Sequence, residues 1–140
     1  MHLKWKPLAL AAMLAVTATT AHAGSANFKS PSGNIFCGYF DYDGPTEVRC
    51  DMRNFTPSMG KQPADCDLDW GDAFSVNAQS NRGSAVCHGD TVISPDARIL
   101  PYGKSFAQGG IVCLSDTHGI TCTNGKGHGF FVSKAQQRVF

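Results

Sequence analysis

Four of the chain's eleven acidic residues fall in one short stretch, Asp65-Cys66-Asp67-Leu68-Asp69-Trp70-Gly71-Asp72. Alternate carboxylates at Asp-x-Asp-x-Asp spacing are what a calcium loop uses to converge on a hard cation. The rest of such a loop is missing. An EF-hand takes glycine at its sixth position and a bidentate glutamate at its twelfth, and Trp70 and Val76 stand there. Calcium at Asp65–Asp72 stays open. The favoured reading is a turn whose carboxylates cap backbone N–H groups, with Trp70 in or near the core.

Three histidines, His88, His118 and His128, stand beside glycines, and no two share a spacing that would bring them together locally on one metal. No metal and no cofactor is therefore expected. The acid–base chemistry these residues allow is that of a small envelope hydrolase using His88 or His128 with an aspartate. No Gly-x-Ser-x-Gly nucleophile turn is present, and Glu47 is the single glutamate, so a glycosidase pair would need Glu47 or two aspartates. No catalytic residue is assigned, and an enzyme is the less favoured class. Tyr39, Tyr42 and Tyr102 lie near expected turns. Their amphipathic rings, with His88, Asp90 and His128, form the candidate binding surface for a protein or a glycan.

The elements that position these groups are read from the cysteines. Cys37, Cys50, Cys66, Cys87, Cys113 and Cys122 make an even set, with no Cys-x-x-Cys pair of the kind a zinc ribbon or a thioredoxin-like site uses. Three disulfides follow, and six cysteines allow fifteen connectivities. An internal echo narrows them. Gly33-Asn34-Ile35-Phe36-Cys37 leads through a turn to Val48-Arg49-Cys50, and Gly110-Ile111-Val112-Cys113 leads through a turn to Ile120-Thr121-Cys122. Each block reads as two strands joined by a Gly/Asp/Pro turn, and cysteines facing one another across a hairpin are close enough to bridge. The expected pairs are 37–50 and 113–122, which leaves 66–87.

Elsewhere, residues 51–65 read as a loop. Phe74-Ser75-Val76-Asn77 alternates as a strand, and Gly129–Ser133 reads as the last strand, followed by at most one helical turn over 133–138. No helical period persists. The expected fold is all-β, a small disulfide-stapled barrel or sandwich built from hairpins with little helix.

The first residues give the compartment. Lys4 and Lys6 precede an uncharged Ala/Leu-rich run, which ends in Ala21-His22-Ala23. This is the order of a secretory signal peptide over residues 1–23, with cleavage before Gly24 and a single domain over residues 24–140. Cleavage would leave no segment apolar enough to span a membrane as a helix. It takes two of the twelve Lys and Arg residues away against eleven Asp and Glu, for a formal charge near −1. No basic stripe is present, which argues against nucleic acid as a partner.

A wider pattern now stands out: Pro31-Ser32-Gly33-Asn34-Ile35 before Cys37, Cys66-Asp67-Leu68-Asp69-Trp70-Gly71, Cys87-His88-Gly89-Asp90-Thr91-Val92, Leu100-Pro101-Tyr102-Gly103 and Gly127-His128-Gly129-Phe130. As a set, these motifs make the chain resemble a family of small secreted bacterial proteins classed as a domain of unknown function, from Phe28 to about Ser133. The resemblance implies a bacterial exported protein and carries over no catalytic residue. The expected function is a non-enzymatic periplasmic or secreted binding module, inhibitor-like or envelope-associated. A small hydrolase and a structural envelope component are the alternatives.

Overall fold

A computed structural model describes His2 and residues 25–140. The expected signal peptide and its cleavage site lie, His2 apart, outside the described residues. Among those residues there are eleven strands and no helix. One sheet contains β1 (Ser25–Lys29), β2 (Ile35–Phe40), β3 (Glu47–Met52), β4 (Ala73–Asn77), β5 (Ser84–Ala85) and β6 (Arg98–Ile99), in the order β5-β4-β3-β2-β1-β6. The other contains β7 (Ser105–Gln108), β8 (Ile111–Asp116), β9 (Gly119–Asn124), β10 (Gly129–Val132) and β11 (Gln137–Val139), in the order β11-β10-β9-β8-β7. All pairings are antiparallel except β1 with β6, which is parallel. The sheets pack face to face as a sandwich and do not close into a barrel.

Alternation along the strands sorts the side chains. Ile35, Cys37 and Tyr39 of β2, Val48, Cys50 and Met52 of β3, and Phe74 and Val76 of β4 point into the core. There they meet Ile111, Cys113, Ile120, Cys122, Phe130 and Val132 of the second sheet. Tyr39 is 1% exposed. This corrects its expected place near a surface turn, because β2 runs on to Phe40 and the inward phase of Ile35 and Cys37 carries Tyr39 in as well. Its ring packs on Phe106, 5.5 Å between centroids, and Phe106 stacks on Phe28 at 4.8 Å.

The disulfides are Cys37–Cys50, Cys66–Cys87 and Cys113–Cys122, with no free cysteine among the described residues. The first and third join directly facing residues of a hairpin, β2 to β3 and β8 to β9. All four of their cysteines are fully buried, and Cys50 Sγ lies 4.0 Å from Cys122 Sγ across the sandwich. The echo in the sequence is thus one stapled hairpin in each sheet, packed against each other.

The helical turn expected over 133–138 is instead a tight turn followed by β11. Six residues cannot sustain a helix alone, and here Gln137 supplies better partners. Its side chain is buried, accepts from the Ser58 amide and hydroxyl, and donates to the Ser133 carbonyl. Gly129 has no room for a side chain: a Cβ there would lie 1.8 Å from the Cys122 carbonyl oxygen.

Candidate functional site

Three surface features gather polar or exposed groups. The first lies on the outer face of the six-stranded sheet. Residues 86–97 connect β5 at one edge to β6 at the other, so they must cross about 24 Å of sheet, five strand spacings. They run over the face from which Arg49 and Asp51 project, opposite in phase to Val48, Cys50 and Met52. Asp51 is 1% exposed and its carboxylate accepts four bonds. Arg49 Nε and Nη2 donate at 2.8 and 3.0 Å, and the Thr91 hydroxyl and Val92 amide donate at 3.0 Å each. Arg49 Nη1 also reaches the exposed Asp90 carboxylate at 2.8 Å, which holds Asp90 below the usual carboxylate range. A buried charge thus ties the crossing strap to the sheet.

His88 is part of the same fastening. Its backbone pairs with Asp69, its Nε2 lies 2.8 Å from Asp72 Oδ1, and its Nδ1 bonds the Asp90 carbonyl. Burial alone lowers the imidazole pKa. The bonds to Asp72 and to the Asp90 carbonyl outweigh it, and the net shift is upward despite Arg49 nearby. Both ring partners are acceptors, so only the doubly protonated ring satisfies both. The His–aspartate pairing on which a hydrolase could rest exists with Asp72. Neither nitrogen is free to exchange a proton with a substrate, and the side chain is 5% exposed.

The second feature is a cup of about 310 Å³ at one pole of the sandwich. Five connecting segments meet there: the β1–β2 turn with Ser30 and Asn34, Asn54 after β3, Tyr102 before β7, the β8–β9 turn with Asp116 and His118, and Lys134 between β10 and β11. Backbone and amide bonds fix them to one another. Asn34 Nδ2 donates to the Asn54 carbonyl at 2.9 Å, and its Oδ1 accepts from the Asn54 amide at 2.8 Å. The Thr56 amide donates to the Lys134 carbonyl, and the Gly103 amide to the Ser115 carbonyl, both at 2.7 Å. Asp116 Oδ1 accepts from the His118 and Gly119 amides, which leaves Oδ2 for other partners. Tyr102 and His118 are exposed at the rim.

The third feature is a cleft of about 600 Å³ along one open side of the sandwich, between β6 of one sheet and β7 of the other. Phe28, Phe106, Ala26 and Leu100 supply apolar lining, and Asn27, Asp96, Arg98 and Ser105 the polar part.

The six expected surface residues do not make one surface. Tyr39 is core. Tyr42 is 65% exposed in the β2–β3 turn, at the pole opposite Tyr102. His128 is half-buried beside Asn124, which pairs with Ile111 at the start of β8 and so lies at Tyr42's end. His88 and Asp90 belong to the strap. The three histidines lie apart, and no group of three His, Cys, Asp or Glu side chains converges on a metal-sized point among the described residues. Asp65, Asp67 and Asp69 are exposed, while Asp72 turns to His88; Trp70 is half-buried outside the core cluster.

Sequence reading missed Arg49 and Asp51, and the pole residues Asn34, Asn54, Asp116 and Lys134; it singled out Asp72 within the acidic cluster and not as the partner of His88. Alternation does turn Arg49 and Asp51 outward. That a distant strap covers them leaves no mark in the local pattern.

Three disulfides fit an oxidising, non-cytoplasmic compartment, and no helix among the described residues is long and apolar enough to cross a membrane. No curated protein and no solved structure matches the chain. A family match does extend over residues 8–140, beyond the stretch that the motifs cover at either end, and on it the chain belongs to the family of unknown function DUF6636.

Proposed function

We propose that this protein is a bacterial exported, non-enzymatic binding module of the periplasm or the extracellular space. Residues 1–23 act as its cleaved signal peptide, and residues 24–140 form its single domain. The reading rests on the polar cup. Five loops from both sheets meet at one pole and are pinned by backbone bonds, with Tyr102, His118, Asp116 and Lys134 at its rim. Tyr, Ser and Asn on rigid loops are what recognition surfaces use, a large ring with few rotatable bonds set among adaptable hydrogen-bonding groups. The partner is a protein or an envelope glycan.

The test compares envelope extract and glycan arrays probed with the oxidised mature protein and with Tyr102→Ala. Tyr102 is 48% exposed and lies outside the core, so the variant should melt like wild type. A partner held by wild type and lost from Tyr102→Ala is the expected result. A partner held equally by both would remove the cup from the reading. Turnover of an ester, amide or glycoside that is abolished by His88→Gln or His128→Ala would replace a binding module with an enzyme.

A further inference from the structure

The open side of the sandwich has a second property besides its cleft. Among the described residues β7 is an edge strand, with its backbone paired on one side only. Cys113 faces Cys122 as a close pair, Cα atoms 4.0 Å apart, which is the spacing of residues that do not exchange backbone bonds with each other. The N–H and C=O of Cys113 therefore turn to β7, where the facing residue is Phe106. Ladder bonds alternate along a strand, so Phe106 and Gln108 bond to β8, while the N–H and C=O of Ser105 and Ala107 point away from the sheet. Across the cleft, the Leu100 amide bonds the Lys29 carbonyl, so the backbone groups of Ile99 likewise point out of the first sheet.

Exposed edges are normally blunted by a charge, a proline, a bulge or extreme shortness. β5 and β6 are two residues each, and β11 is three with Arg138 at its centre. β7, Ser105-Phe106-Ala107-Gln108, is four residues with no charge and no proline. Beside it lies the cleft lined by Phe28, Phe106 and Leu100, and Ile99 nearby is 57% exposed. Arg98 and Asp96 stand at the cleft, and neither is in an ion pair among the described residues.

We infer that β7 is a docking edge for an extended segment of a partner protein. The segment adds as a further strand to the five-stranded sheet and places alternate apolar side chains in the cleft. The two features meet the two requirements of strand addition: free main-chain groups give affinity, and a neighbouring apolar cleft reads every second side chain. A small apolar ligand would use the cleft but leave the Ser105 and Ala107 backbone groups unused. A second copy pairing β7 with β7 would use the edge, but the one large apolar side chain of β7, Phe106, is already packed on Phe28 and Tyr39, so the copy brings none to fill the cleft. This inference concerns a different face from the Tyr102 cup, and either can fail alone.

Displayed random octapeptides selected on the oxidised mature protein test it, with Ala107→Pro as the diagnostic variant. The Ala107 N–H points away from β8, so proline removes an outward donor and leaves the β7–β8 ladder intact. Selected peptides should alternate apolar and polar residues. They should bind Ala107→Pro at least about tenfold more weakly, the effect of one lost hydrogen bond and a blocked approach, while Tyr102→Ala binds them as wild type does. If Ala107→Pro fails to fold, peptides N-methylated at alternate residues replace it. One methylation phase should abolish binding and the other should be tolerated. Equal binding by Ala107→Pro, equal tolerance of both methylation phases, or no peptide enriched would overturn the inference. So would a wild-type dimer that Ala107→Pro makes monomeric, which would give the edge to a second copy.

Discussion

Replacing Asp51 by alanine should be the most damaging single change on the outer face of the six-stranded sheet. The carboxylate is 1% exposed and accepts four bonds, two from Arg49 and one each from Thr91 and Val92. Without it, the Val92 amide and the Thr91 hydroxyl lose their acceptor under the strap, and Arg49, whose side chain is 11% exposed, keeps only its contacts to Asp90. Breaking a buried ion pair from one side costs about 3–5 kcal/mol. The surviving Asp90 contacts place this case near the lower end, about 3 kcal/mol. Against a total stability of about 5–15 kcal/mol the variant should still fold. With a urea slope of about 2 kcal/mol/M, its midpoint should fall by about 1.5 M. The assay is urea unfolding at neutral pH with disulfides intact, paired with amide exchange. Loss of protection should be largest at Val92, which donates to Asp51. Asp90→Ala is the control, because its carboxylate is 81% exposed and its removal leaves the buried Arg49–Asp51 pair in place. A midpoint for Asp51→Ala no lower than that of Asp90→Ala would refute the claim that Asp51 fastens the strap.

Two further outcomes are expected. His88 carries a raised pKa, so its contribution to stability is fully present below the unfolded value of about 6.5 and is lost as pH rises through the folded value. The midpoint difference between wild type and His88→Gln should therefore be largest in mild acid and shrink toward alkaline pH; a difference that grows with pH would reverse the assignment of both ring nitrogens as donors. Limited reduction should open Cys66–Cys87 first, because Cys87 is exposed whereas the other two cystines are fully buried. Alkylation and peptide mapping would contradict this if label entered Cys37, Cys50, Cys113 or Cys122 before Cys66 and Cys87.

The parts of the fold legible in the sequence are those whose causes are local. Cys37 and Cys50 flank a turn built of Asp41, Asp43, Gly44 and Pro45, and Cys113 and Cys122 flank one built of Asp116 and Gly119, so each hairpin and its staple could be read together. Phase was not followed far enough: residues 51–65 read as a loop, yet β3 runs on to Met52, with Val48, Cys50 and Met52 turned in and Arg49 and Asp51 out, because alternation past Cys50 carries the strand two residues into the expected loop. Tyr39 was misplaced because the turn residues after it outweighed the alternation before it. The short strands β6, β7 and β11 leave weak traces, because two to four residues cannot establish a period and their pairing is set by partners far away in sequence. The cup was invisible for the same reason: its segments come from turns between Ser30 and Lys134, and only the stacking of two sheets brings them to one pole.

The placement of the cystines explains how so small a sandwich can leave both a pole and an edge uncommitted. Cys37–Cys50 and Cys113–Cys122 fix the register of one hairpin in each sheet, and their contact through Cys50 and Cys122 fixes how the hairpins stack. Crosslinks over loops this short remove about 3 kcal/mol each from the unfolded chain's advantage, on the chain-entropy account. Stability is thereby concentrated between the sheets, at fully buried positions. The rim of the cup adds little to it: Tyr102 and His118 lie outside the core cluster, and their loops are held by backbone bonds. The strap on the outer face is different, since there a buried carboxylate, an arginine and a histidine are all occupied internally. The polar groups under the strap hold the protein together, while the cup and the β7 edge keep hydrogen-bonding capacity turned outward. The proposed recognition role therefore falls to the pole and the open side, and not to the His88–Asp72 pair that most resembles catalytic machinery.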